Sequence, residues 1–163
     1  MKSLLLAVSL CGALAAAAQG QAGDRVEVVG PARCYENQLV LDMLAQNTAP
    51  DALVIVIARL GAGERRAGLG RRRLHNVRTY WTELRGDGRR PETIILAEGE
   101  EVNDYGRLEF YTGGKLTAVL KLRRDADLIA ANCYPEPGGA PCPPVERNLY
   151  PCRDARAVRR RSR

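Results

Sequence analysis

The sequence predicts an α+β fold of order β-α-β-α-β-β-β, with two helices packed on one face of a mixed sheet. Three observations carry that expectation. Leu53 to Ala58 is a continuous apolar, largely β-branched run, the pattern of a strand in the middle of a sheet. Leu74, Val77, Trp81 and Leu84 recur at intervals of three and four and form one helical stripe. Two alternating segments flank Gly113-Gly114, a hairpin signal.

Each element has its own reason. Arg25 to Val29 alternates as a first strand and is stopped by Gly30-Pro31. Tyr35 to Gln46 reads as a helix with Leu39, Val40, Met43 and Leu44 on one side, broken by Asn47 to Asp51. Leu53 to Ala58 follows, a central strand expected to be covered on both faces. The second helix is predicted from Leu69 to Leu84, with Gly86 as its left-handed stop and Arg85 in its final turn. At about 100° per residue, Arg72 points away from the apolar stripe and Arg73 lies on its edge. Thr93 to Ala97 is the next strand. From Gly106 to Tyr111, Leu108 and Phe110 share one face, while Arg107 and Glu109 share the other. Leu116, Ala118, Leu120 and Leu122 continue the inward face on the returning strand.

The ends of the chain bear on its compartment. Met1-Lys2, the apolar run Leu4 to Ala15 and Ala16-Ala17-Ala18 read as a signal peptide over residues 1–20. The apolar run is too short for an ordinary membrane span, and no later segment is longer, so no transmembrane segment is expected in the mature chain. Export leaves an even cysteine set: Cys34, Cys133, Cys142 and Cys152. In an oxidising compartment these favour two disulfides, for which three pairings exist. Cys34–Cys133 with Cys142–Cys152 is the preferred pairing. A zinc site is disfavoured by the lack of a C-x-x-C pair and the single histidine, His75.

The formal charge of +6 is concentrated at one end, since residues 153–163 hold six arginines against Asp154. Such a run reads as a solvated basic tail, or as a surface contact for anionic envelope material. It lacks the interleaved aromatics that stack bases, and no nucleic-acid partner is expected. The body of the chain is polarised as well. Residues 59–90 carry ten arginines against Glu64, Glu83 and Asp87, whereas 91–109 carry six acids against Arg107. No serine, cysteine or metal ligand is spaced to work with His75, Trp81 belongs to the apolar stripe, and Gly61-x-Gly63 is too short for a phosphate loop. The sequence shows no catalytic constellation and implies no cofactor.

Several motifs, in order, resemble the OmpA-like peptidoglycan-binding domain. Leu69-Gly70-Arg71-Arg72-Arg73-Leu74-His75-Asn76-Val77-Arg78-Thr79-Tyr80-Trp81 resembles the family's helix opening L-S-x-x-R-A-x-x-V-x-x-Y-L in register. Ala97-Glu98-Gly99-Glu100 is similar to its G-x-G-E, and Arg107-Leu108-Glu109-Phe110 to its R-V-E-I. The similarity covers roughly residues 35–111, and the strand from Leu116 is an addition. In that family the helix arginine pairs with a diaminopimelate carboxylate of the peptidoglycan stem, a role the resemblance assigns to Arg73. The family's loop aspartate has no counterpart in Ala58 to Glu64, and the first arginine of its N-R-R is Gly106 here.

The resemblance therefore implies residues 24–130 as a diverged OmpA-like domain. A Cys/Pro-rich stapled segment follows at 131–152, and the basic tail at 153–163. Candidate ligand-binding residues are Arg73, Arg107, Glu64 and Glu100, with an acid of the 98–101 group standing in for the missing aspartate. The implied protein resides in the periplasm or cell envelope, with secretion as the alternative. It binds peptidoglycan or an anionic envelope polymer without catalysis. The competing expectation is a disulfide-stapled structural or interaction module that has lost the ligand.

Overall fold

The computed structural model describes residues 25–28, 30–86, 88–131, 133 and 146–153. Five strands form one sheet: β1 (Val26–Glu27), β2 (Val54–Arg59), β3 (Ile94–Glu98), β4 (Arg107–Thr112) and β5 (Lys115–Lys121). Their spatial order is β1-β5-β4-β2-β3. The β2–β3 and β1–β5 pairs are parallel; β2–β4 and β4–β5 are antiparallel. Two α-helices, α1 (Cys34–Gln46) and α2 (Leu69–Thr79), complete the α+β class expected from the sequence.

Register explains where the core lies. Val56 pairs with Phe110, Phe110 with Ala118, and Val54 with Ile94, so the buried members of four strands share one face. The helices supply the other half of the core, with α2 against β2 and β3 and α1 against β5. Trp81 sits at the centre, edge-on to Phe110 at 5.8 Å between ring centroids, and its Nε1 donates to the Leu41 carbonyl at 3.0 Å. Its indole thus places apolar area in the core with its one donor satisfied.

Two expectations about faces are corrected. In α1 the buried stripe is Asn37, Val40, Leu41, Leu44 and Ala45, and Leu39 is 55% exposed. This is a regular i, i+3, i+4, i+7, i+8 pattern whose first member is polar, which hides it from an apolar count. In β2 only Val54, Val56 and Ala58 are buried; Ile55 and Ile57 are half-covered on the sheet's second face. The strand is central in hydrogen bonding but is packed by helices on one side. The first strand, expected from Arg25 to Val29, is described as Val26–Glu27, with the Val28 N–H also donating to the Val119 carbonyl at 3.3 Å and Val29 outside the described residues.

The second helix runs on past α2 as a π-helical turn, Tyr80–Leu84, in which the Arg85 N–H donates to the Tyr80 carbonyl at 2.9 Å. Gly86 follows with φ 70°, the left-handed stop expected there. Gly113 and Gly114 have φ 58° and 75°, as a two-residue turn between twisted strands requires.

Beyond β5 the chain runs back over the helices. Leu122, Leu128 and Ala130 are buried, and the segment is tied down by a Cys34–Cys133 disulfide, the pairing preferred above, with 5.3 Å between Cα atoms. Cys152 is also disulfide-bonded, but its expected partner Cys142 lies outside the described residues. So do the residues expected to form a signal peptide and the expected basic tail after Arg153. Asn76 of α2 joins the returning chain at two points: its Nδ2 donates to the Leu128 and Tyr150 carbonyls, and its Oδ1 accepts the Tyr150 N–H. No described helix is long and apolar enough to cross a membrane.

Candidate functional site

Arg73 occupies the second turn of α2, beside Leu74 in the helix face that meets the sheet. Its guanidinium does not reach a rim. The residue is 0% exposed, which corrects the expectation, drawn from the resemblance, of an arginine available to a ligand carboxylate. Its Nη1 and Nη2 donate to the two carboxylate oxygens of Glu64 at 2.9 and 2.6 Å. Nε donates to the Ala126 carbonyl at 3.0 Å, and Nη2 also reaches the Arg123 carbonyl at 3.2 Å. This is the fork-to-fork contact for which guanidinium is suited, made inside the chain.

Glu64 is equally enclosed. Its carboxylate accepts the Gly61 N–H at 2.8 Å and the Asp125 N–H at 2.9 Å in addition to Arg73. Burial pushes its carboxyl up, but the Arg73 hydrogen bonds and these two N–H groups outweigh burial and hold it below the usual carboxylate range. The pair therefore joins four pieces of chain: the loop after β2, α2, the stretch after β5, and the loop before β4.

That last contact gives a physical reason for Gly106, where the motif that this stretch resembles has an arginine. A Cβ built on Gly106 would overlap the Glu64 carboxylate and meet Arg73 Nη1, so only glycine lets this backbone lie against the pair. A Cβ on Gly61 would in turn overlap the Gly106 nitrogen. An arginine at position 106 would need the space that Glu64 fills.

Outside the pair, a cleft of about 240 Å³ opens between the loops Gly61–Glu64 and Asn103–Gly106, with Arg124 at its side. Glu64 lines it; Arg73 lies behind Glu64 and does not. A ligand entering this cleft meets a carboxylate that already has its cation.

The other candidate residues gather elsewhere. Arg107, Glu109 and Tyr111 project from the sheet face opposite Leu108 and Phe110. Glu109 accepts Arg107 Nε at 2.8 Å and the Tyr111 hydroxyl at 3.0 Å, and lies 3.0 Å from Arg59 Nε. Burial raises the Glu109 carboxyl, and the adjacent Arg59 guanidinium together with the hydrogen bonds from Arg107 and Tyr111 brings it below its ordinary value. Glu100 is exposed and belongs to this second group, where its charge adds to the effect of Glu109 on Arg59. Of the four candidates, the structure brings Arg73 and Glu64 together and sets Arg107 and Glu100 apart from them.

Several partners were not singled out by sequence reasoning. Asp127 is buried and takes Arg72 at 2.7 and 2.8 Å and Arg66 at 2.9 Å. Arg72, expected to point away from the core, thus lies under the returning chain, with its guanidinium 4.2 Å from the centre of the Tyr150 ring. His75 Nε2 is 2.7 Å from the Asn148 carbonyl, an edge position on the same docked segment. Asp125 accepts the Arg65 and Arg66 N–H groups at 3.0 and 3.3 Å. All of these contacts come from residues beyond the stretch of resemblance, where no motif marks them. Comparison with protein-family models, curated proteins and solved structures found no match for this chain.

Proposed function

We propose that this chain is an exported, non-catalytic interaction module of the cell envelope, built on a diverged OmpA-like fold that has replaced its diaminopimelate contact by an internal one. The observation that carries the reading is the enclosed two-point pairing of Arg73 with Glu64. A carboxylate supplied by the protein sits where the resemblance would put the ligand's. Export is supported by the leader-like start of the sequence and is compatible with the Cys34–Cys133 bridge. The lack of catalysis rests on the pairing of each enclosed carboxylate of the two clusters with guanidinium groups, which leaves Glu64 and Glu109 ionised and unsuited to proton transfer near neutral pH.

The test is co-sedimentation of the mature, oxidised chain with two purified peptidoglycans, one with diaminopimelate and one with lysine in the stem. Equal retention on both is expected, because Arg73, the arginine matched to the diaminopimelate contact, is enclosed and taken by Glu64. Strong retention on the diaminopimelate polymer alone would restore the original ligand and overturn the reading.

A further inference from the structure

The two edges of the sheet are unlike. β1 is two residues long and carries the Arg25–Glu27 ion pair, a short charged end of the kind that discourages further pairing. β3, at the other edge, is Ile94-Ile95-Leu96-Ala97-Glu98 and holds no proline, lysine or bulge. No described strand lies beyond it. Ile95 is 45% exposed and stands in register with the half-covered Ile55, on the sheet face that has no helices.

Backbone alternation gives the polar groups of that edge. The Gly99 N–H donates to the Ala58 carbonyl at 2.9 Å, so Ile95, Ala97 and Gly99 turn their N–H and C=O groups to β2. Ile94, Leu96 and Glu98 turn theirs outwards. The Ile94 N–H is closed by the Pro91 carbonyl. The Ile94 carbonyl and the N–H and C=O groups of Leu96 and Glu98 have no hydrogen-bond partner among the described residues.

This row matches itself. A two-fold axis at Leu96 brings the Leu96 N–H of each copy to the Leu96 carbonyl of the other, and the Glu98 N–H of each to the other's Ile94 carbonyl. The Ile94 N–H, already taken, is not needed for that ladder. The same rotation sets Ile95 against Ala97 of the second copy and extends the isoleucine face of the sheet. Charge favours this direction over a parallel one. Glu98, Glu100 and Glu101 are exposed at one end of β3, while Arg90 and Glu92 cancel at the other. Antiparallel pairing lays each acidic end beside a neutral one, whereas parallel pairing would set the two acidic ends together.

We propose that β3 is a dimerisation edge, at which a second copy of this chain adds antiparallel about Leu96 to make one continuous sheet. The contact is isologous and therefore closes at two copies. It is also small, so the dimer is weak and concentration-dependent. The edge is separate from the Arg73–Glu64 pair and does not depend on what the module binds.

The experiment is sedimentation equilibrium of the mature, oxidised chain from low micromolar to submillimolar concentration, with amide hydrogen exchange read by NMR over the same range. The mass should rise towards that of two chains. The Leu96 and Glu98 amides should gain protection in step with it, while Ile95 and Ala97, already bonded to β2, change little. Ile95→Lys puts a charge on an exposed position of the edge, and Leu96→Pro removes an outward N–H without breaking a bond to β2. Each should weaken association by about tenfold or more, the size of one or two hydrogen bonds. Ile95→Lys should keep the wild-type circular dichroism, so the test stands even where the proline variant does not fold. A single-chain mass throughout, growth beyond two chains, or a dimer that Ile95→Lys leaves equally tight would each overturn the proposal. So would Leu96 and Glu98 amides protected at the lowest concentration, which would place another segment of the same chain on the edge.

Discussion

Arg73 and Glu64, nine residues apart, meet through hydrogen bonds of 2.9 and 2.6 Å with both side chains enclosed. Neither can lose its partner cheaply, because the survivor is left as an uncompensated charge away from water. Arg73→Met and Glu64→Leu are each expected to destabilise the fold by about 3–5 kcal/mol in urea unfolding. The double replacement should cost less than the two single changes added, since it removes both charges at once. Strict additivity would mean that the pair contributes nothing as a pair.

The Glu109 cluster gives stability a pH dependence. Its carboxyl is held below the ordinary value of 4.5 by the Arg59 guanidinium and by hydrogen bonds accepted from Arg107 and Tyr111, against burial. A group depressed in the folded state adds stability that is complete above its unfolded value and is lost as pH falls through the folded one. Unfolding free energy should therefore decline below about pH 4.5, the range set by the unfolded carboxyl. Glu109→Gln should flatten that acid limb, while the Glu64 contribution persists. An unchanged slope between pH 5 and 3 in the variant would contradict the assignment.

Much of this architecture was legible from periodicity, and the reason is physical. Val56, Phe110 and Trp81 sit where alternation and helical spacing put them, because burying apolar area on one face is what orders the chain. The pattern failed where a polar residue took a core position. Asn37 at the head of the α1 stripe shifted the inferred face towards Leu39. Arg73 was correctly placed on the edge of its stripe, but its partner lies in an irregular loop at no helical interval. The carbonyls that complete its coordination, at Arg123 and Ala126, belong to a returning segment with no motif. Pairings of that kind depend on the path of loops, which hydropathy does not encode.

The Cys34–Cys133 bridge closes a loop with a sequence separation of 99. Cross-linking over that span restricts the unfolded chain and stabilises the fold by about 4 kcal/mol, with the usual dependence on the unfolded state. Cys34→Ser together with Cys133→Ser is expected to lower stability by about that amount. The bridge at Cys152 stays intact in this variant, as a general reductant would not allow. The loss should appear in the urea midpoint with little change in far-ultraviolet circular dichroism, because the sheet register does not depend on the bridge. A change below about 1 kcal/mol would indicate that the buried Leu122, Leu128 and Ala130 hold the returning segment unaided.

Glu146 supplies a dependence of the opposite sign. It is buried in the segment docked on α2, its Oε1 accepts no hydrogen bond among the described residues, and burial raises its carboxyl above the ordinary value. A carboxyl raised in the folded state penalises folding once it must ionise. The penalty is absent below the unfolded value near 4.5 and complete above the folded one. Glu146→Gln removes the charge and keeps the shape, so it should stabilise the protein by about 1 kcal/mol at pH 7, the scale of a buried acceptor left unmet. At pH 3.5 the same variant should match the wild type. The two chemical-denaturation curves, run at both pH values, separate this from a packing effect. A packing effect would raise or lower stability equally at each pH, whereas a buried carboxylate with no cation among the described residues shows its cost only where it is charged.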